Sequence, residues 1–210
     1  MPNITGPALT YPTRSFPGTQ AGAGTGVAGE QIHSTLLGRY ATLVKSGRVF
    51  YTSAIITAPV IFSTAAQLGP MLWNAPGSTT DAHILAVSVG SPTTATTVAG
   101  AISYASNVQA TVPTTATALT VMNALAGGGV SAMGGVFSTA TILVAPTNVP
   151  FPLVAVNTGA ITTAVVAGNS LVEVAGGFIV TPGTVGYICG NATLTAGVFT
   201  IGLLWAELPS

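Results

Sequence analysis

A histidine beside an acidic residue is the usual starting point for general-base and nucleophilic chemistry. This chain has two histidines in 210 residues. His83 follows Asp81 by two positions, so on a strand the two side chains share a face. His33 follows Glu30 by three, about one turn of a helix. An Asp–His pair is part of a hydrolytic triad and serines abound, yet no Gly-x-Ser-x-Gly elbow occurs. No histidines stand four apart, and no Asp-rich loop resembles a calcium site. The glycine runs Gly22-x-Gly24-x-Gly26 and Gly127-Gly128-Gly129 lack the Lys-Ser/Thr of a phosphate cradle. The one cysteine, Cys189, lies in the apolar run Val185–Cys189 and reads as a small buried hydrophobe. Types and spacing therefore predict no catalytic residue, no metal site and no cofactor. The chain reads as a non-enzyme.

Charge scarcity argues the same way. Asp, Glu, Lys and Arg make up 4% of the chain, against roughly 25% in ordinary globular proteins. The eight charged residues are Arg14, Glu30, Arg39, Lys45, Arg48, Asp81, Glu173 and Glu207, and they cancel to a formal net charge of zero. Four basic side chains cannot build the phosphate-neutralising footprint of a nucleic-acid binder. Apolar runs are broken early by Thr, Gly, Pro or Asn, far short of the roughly 20 apolar residues of a spanning helix. A membrane barrel needs aromatic girdles, but aromatics are 7% and unpaired at strand ends. Met1-Pro2-Asn3-Ile4-Thr5 does not read as a signal peptide. The expectation is no direct nucleic-acid contact, no membrane, and a chain that hides apolar surface against copies of itself.

Residues 1–29 read as an extended arm. Pro2, Pro7, Pro12 and Pro17 recur every five positions, and Gly18, Gly22, Gly24, Gly26 and Gly29 follow. Proline disfavours helix interiors and central strands alike. Tyr11 and Phe16 give the arm two anchors for a neighbouring subunit. Residues 30–47 read as a short helix and connector: Ile32, Leu36, Leu37, Tyr40, Leu43 and Val44 recur at helical spacing before Gly47. Residues 48–210 read as one β-domain, with strands at about 48–57, 60–65, 70–74, 82–90, 98–105, 118–125, 135–145, 152–157, 171–181, 184–189 and 197–207. Short strands so spaced predict an all-β, jelly-roll-like antiparallel sandwich.

Two segments carry that reading. Thr181-Pro182-Gly183-Thr184 suits a type II turn and predicts that Phe178-Ile179-Val180 and Val185-Gly186-Tyr187 are antiparallel neighbours. In the last strand Phe199, Ile201, Leu203 and Trp205 alternate on one face, which with Phe178 and Val180 forms the predicted core. The opposite face, Val198, Thr200, Gly202, Leu204 and Ala206, is uncharged. A solitary monomer would place polar residues there. Val198, Thr200 and Leu204, with Tyr11 and Phe16 of the arm, are therefore the predicted subunit contacts.

Short stretches spread from Leu37 to Pro209 resemble those of a group of bacteriophage virion proteins with a single jelly-roll-like domain. They are Gly38-Arg39-Tyr40, Ser46-Gly47-Arg48-Val49-Phe50, Trp73-Asn74-Ala75-Pro76-Gly77-Ser78, Gly176-Gly177-Phe178-Ile179-Val180-Thr181-Pro182-Gly183-Thr184 and Leu204-Trp205-Ala206-Glu207-Leu208-Pro209. The group's proline pair is Thr181-Pro182 here, and its terminal acidic pair is Ala206-Glu207. The resemblance implies a structural virion protein at the capsid surface, a homotrimer that decorates or cements the shell in contact with other capsid proteins. Two other roles suit the same fold, a receptor-binding or fibre-tip domain and the major or minor capsid protein itself.

Overall fold

A computed structural model of the chain describes residues 40–57, 66–90, 98–144, 150–158, 169–190 and 198–210. The chain divides into a unit of residues 1–42 and one of residues 43–210. The expected arm, with Tyr11 and Phe16, and residues 30–39 of the expected helix lie outside the described residues. Helix α1 spans Ala41–Lys45. It stops where Gly47 takes φ +71°. The Gly47 N–H then donates to Val44 O at 2.9 Å and the Arg48 N–H to Leu43 O at 3.2 Å. Those two bonds are a Schellman motif, and the glycine spares the Cβ clash of a left-handed residue.

Eleven strands follow among the described residues: β1 (Val49–Thr57), β2 (Ala66–Asn74), β3 (Thr80–Gly90), β4 (Val98–Val108), β5 (Thr114–Ala118), β6 (Met122–Asn123), β7 (Gly135–Thr141), β8 (Phe151–Thr158), β9 (Asn169–Val180), β10 (Thr184–Gly190) and β11 (Val198–Pro209). Eight of them pair antiparallel in nested fashion, β1 with β11, β2 with β10, β3 with β9 and β4 with β8. This is one long ribbon folded back at the β4–β8 connection and rolled up. Rolling yields two sheets, β6-β1-β11-β3-β9 and β5-β7-β2-β10-β4-β8. The fold is thus an all-β antiparallel sandwich with jelly-roll strand order. Strands β5 to β7 are an insertion at the ribbon's tip. They extend the second sheet beyond β2 and add two residues to the first beyond β1.

The core lies between the sheets. Phe50, Ile56, Phe199, Ile201, Leu203 and Trp205 face Leu72, Ile102, Tyr104, Val136 and Ile188 across it. Phe50 stacks on Trp205 at 6.1 Å between ring centroids. Of the residues expected in the core, Val180, Phe199, Ile201, Leu203 and Trp205 are buried. Phe178 is half-buried, and its ring stacks on Tyr104 at 4.3 Å and meets Phe151 edge-on at 5.4 Å. These three rings join β9 to β4 and β8, so they fasten the two sheets together along one side.

Strand β3 keeps its apolar set inward only because it is bulged. Ala82 and Ile84 face the core, and so do Val87 and Val89, with Leu85 as the extra residue between them. Opposite Leu85, strand β9 carries four unpaired residues, 174–177, with Ala175 at φ +52° and Gly176 at φ +82°. Such a bulge bends a strand and re-aims its side chains.

Two expectations need correction. The Pro182-Gly183 turn forms, with Gly183 at φ +77°, but β9 and β10 are not partners. β9 pairs with β3, whereas β10 pairs with β2 and β4 in the other sheet. The turn is held within the second sheet by distant bonds that continue the ladders of β10 with β2 and β4, Gly183 N–H to Asn74 O at 2.9 Å and Gln109 N–H to Gly183 O at 2.8 Å. The expected strand 118–125 is split between β5 and β6, which join different sheets, because Leu119 N–H is taken by Val136 O at 2.8 Å. Of the expected strand 60–65, all residues lie outside the described set.

Asn74 organises this corner. Its side chain is fully buried, and Nδ2 donates to Thr80 O at 2.7 Å and Val180 O at 3.1 Å. One amide therefore joins the end of β2 to the start of β3 and the end of β9. Asn74→Leu removes the donor that these two carbonyls share, and leaves Thr80 O with the longer bond from the Ser78 hydroxyl at 3.3 Å. We expect a loss of about 1–3 kcal/mol, read as a lower urea midpoint. An unchanged midpoint would show that the corner does not depend on this side chain.

Candidate interaction surface

The outer face of β6-β1-β11-β3-β9 is where apolar side chains meet solvent. Strand register sets them in rows. Tyr51, Leu204, Ala86 and Glu173 cross the sheet together, Ser53, Gly202, Ser88 and Leu171 form the next row, and Ile55, Thr200 and Gly90 the one after. Ile55 is 74% exposed, Leu171 68% and Met122 51%, and Tyr51 and Ile179 are also exposed. The middle of the face is small and flat. A Cβ on Gly202 would lie 2.4 Å from Ser88 Oγ. Charged side chains in these five strands are Asp81, Glu173 and Glu207, and Glu207 turns inward. A contiguous, nearly uncharged face of this kind is a candidate association surface.

The sequence-predicted contacts Val198, Thr200 and Leu204 lie on this face, Thr200 exposed and the other two half-buried. Ala206, further along the same face, is buried. Reading the last strand alone missed Tyr51, Ile55, Leu171 and Ile179 on its neighbours. The signal was available in β1, where Phe50 and Ile56 alternate with Tyr51 and Ile55, so that both faces are apolar.

The sheet edges are blunted. β6 is two residues long. β9 carries the four-residue bulge. β5 pairs irregularly with β7 and holds Thr115 at φ +50°. β8 contains Pro152, which has no N–H to donate. Short, bulged and proline-bearing edges resist strand addition.

An open cleft of about 510 Å³ sits beside this face, between Phe50 of β1 and insertion residues Leu119, Val121, Met133 and Val136. The side chain of Asn123 shapes it, donating to Gly47 O at 2.8 Å and Gly129 O at 3.0 Å and accepting from the Leu125 N–H at 2.8 Å. A Cβ on Gly128 would lie 2.5 Å from Asn123 Cγ, so any larger residue there would have to displace the Asn123 amide.

Below the cleft Glu207 is buried. Its carboxylate accepts from Trp205 Nε1 at 3.0 Å, from the Ala132 N–H at 2.7 Å and from the Ser131 hydroxyl. Three donors satisfy the charge, and the bonds hold the insertion against the last strand. His83 and Asp81 both point outward on β3. A Cβ on Gly176 would lie 3.8 Å from His83 Nδ1, so the imidazole abuts the β9 bulge. Among the described residues no three His, Cys, Asp or Glu side chains gather as a metal site would require, and no helix is long and apolar enough to cross a membrane.

A second apolar layer lies on the outside of the other sheet. Met71, Trp73, Phe137, Ile142, Val185, Tyr187 and Cys189 are buried there. Gln109 is pinned against it, its carbonyl accepting from Trp73 Nε1 at 2.8 Å and its Oε1 from the Leu143 N–H at 3.1 Å. Burial raises the Cys189 thiol from near 9 to about 12, and it also raises the phenols of Tyr104 and Tyr187.

The class defined by these features is a jelly-roll sandwich with one covered and one largely uncovered apolar sheet face. No protein-family model matches the chain, and neither a curated protein nor a solved structure matches it.

Two outcomes follow. Glu207→Gln places an amide where three donors converge, so stability should fall by about 1–3 kcal/mol. Exchange at the Ala132 and Met133 amides should rise; unchanged protection at both would remove Glu207 from this role. Cys189 ionises more readily in the unfolded chain than in the folded one, so raising pH favours unfolding. Stability should hold below about pH 9 and be lost between pH 9 and 12 at up to ~1.4 kcal/mol per pH unit from this thiol. Urea melts from pH 7 to 11 check this, with a flat profile as the contrary result.

Proposed function

We propose that the chain is a structural virion protein that self-associates and decorates or cements the surface of a phage capsid. The observation that carries this reading is the outer face of β6-β1-β11-β3-β9, apolar, nearly uncharged and bounded by blunted edges. A second copy, equally poor in charge, is the complementary partner for such a face, since no desolvated ion would be stranded in the contact. The resemblance to jelly-roll virion proteins supplies the setting and the trimeric state. Its motifs coincide with fixed points of the fold. Ser46–Phe50 forms the end of α1 and the start of β1, Trp73–Ser78 holds the Asn74 corner, Gly176–Thr184 holds part of the β9 bulge and the turn into β10, and Leu204–Pro209 carries the Trp205–Glu207 bond.

The zero net charge fits a subunit that meets protein rather than genome. On this reading no reaction is catalysed and no cofactor is needed. The test is the oligomeric state of the purified chain by sedimentation, with and without the substitutions Ile55→Glu and Leu171→Glu. Both side chains are mostly exposed, so the fold should survive and the melting temperature should change little. Assembly should weaken by at least 10-fold, and the variant should no longer bind capsids that the parent chain coats. A parent chain monomeric at tens of micromolar and indifferent to capsids would sink the proposal.

A further inference from the structure

We infer that the cleft beside β1 receives the arm segment Tyr11–Phe16 of a neighbouring copy. The inference rests on the self-association proposed above and assigns it a second contact.

Three observations support the occupant. The first is where the described chain begins. The connector from α1 into β1 lies at the cleft rim: Gly47 O accepts from Asn123 Nδ2 at 2.8 Å, and a Cβ on Gly47 would lie 3.8 Å from Leu125 Cδ2. Asn123 and Leu125 both line the cleft. Residues 1–39 therefore precede a point beside it. The 24 peptide steps from Phe16 to Tyr40 span at most ~80 Å when extended, ample to reach the same cleft on an adjoining copy.

The second is chemical match. The cleft is lined by uncharged residues, apolar at Phe50, Leu119, Val121 and Met133. The segment Tyr11–Phe16 brings the two aromatic side chains of residues 1–29, and its one charge, Arg14, is carried on a long stem that lets the guanidinium stay in water at the mouth of the open cleft. Pro12 within the segment, with Pro7 and Pro17 on either side, restricts it before it binds, which lowers the entropy lost on docking. At Gly127 and Gly129 open space surrounds the position a Cβ would take, so a second backbone can approach closely.

The third is continuity. Met122 lines the cleft and is also 51% exposed on the outer face, paired in register with Tyr51. A copy seated on that face sits next to the cleft, so its arm has a short path in.

Cross-linking in the full-length chain tests this. Phe16→Cys and Leu125→Cys are made in separate chains and mixed under mild oxidation, with Met122→Cys as a second cleft position. Native Cys189 is buried and remains in all of them. A disulfide between the two different chains is expected, absent when Phe16→Cys is mixed with the parent chain. Full-length Tyr11→Ser/Phe16→Ser should assemble at least 10-fold more weakly. Assembly that persists without any such cross-link at either position overturns the inference and leaves the proposed function standing. A disulfide that forms only within one chain carrying both cysteines overturns it too, since the arm would then fill its own cleft. A chain that never assembles overturns both readings.

Discussion

The nested pairing of β1 with β11, β2 with β10, β3 with β9 and β4 with β8 is the constraint from which the rest of the molecule follows. It makes the last strand an interior strand of the first sheet, hydrogen-bonded to β1 on one side and β3 on the other. Trp205, fully buried on that strand, can then be the largest side chain of the core and stack on Phe50. Such pairings join residues far apart in the chain, so local preference can assist them but cannot choose them. Pairing also decides what the insertion can do. With β10 already on one side of β2, only the other side is open to β7. The insertion must therefore grow on the β1–β2 side, and the cleft appears there because a widened second sheet faces a first sheet extended by only two residues.

How much of this was legible in the sequence varies with the range of the forces involved. The alternation of Phe199, Ile201, Leu203 and Trp205 is a local pattern and named its face correctly, since all four side chains are buried. The turn at Pro182-Gly183 was equally local and is present. Its consequence was misjudged because the bonds that carry β10 into the other sheet come from Asn74 and Gln109. Glu207 offered no local clue at all. Its partners Ser131 and Ala132 lie 76 and 75 positions away, and next to Leu208 and Pro209 it read only as part of a terminal motif. The bulge in β9 was half visible. Gly176-Gly177 suggests an irregularity, but that Ala175 would take φ +52° depends on Leu85 being squeezed out of register in the adjoining strand.

The scarcity of charge shapes the two outer faces differently. On the second sheet the chain covers its own apolar residues, with Gln109 bonded to Trp73 and Leu143. On the first sheet Ile55 and Leu171 stay open to solvent. Both sheets are apolar on two sides, so each needs a cover, and a single layer of chain supplies only one. In an ordinary domain charged residues would finish the second face. Here Asp81 and Glu173 are the only acidic side chains turned outward on the strands of that sheet, with no lysine or arginine among them.

On the proposed self-association, edges and faces together restrict how copies would meet. Strand addition would extend a sheet without hiding the apolar outer side chains, and the bulge in β9, Pro152 in β8 and the shortness of β6 all oppose it. Packing face against face hides Ile55 and Leu171 directly. The small residues in the middle, Gly202, Ser88 and Gly90, make close approach of two sheets cheap in steric terms, while Tyr51 and Leu171 at the sides supply area to bury. In such a packing the β5–β7 insertion would lie at the perimeter, next to the point where the chain enters β1. On the proposed self-association, what the composition lacks is what favours the contact. With few ions to desolvate, the cost of removing water from the face is low, and the modest apolar gain per residue is not spent on unpaired charge.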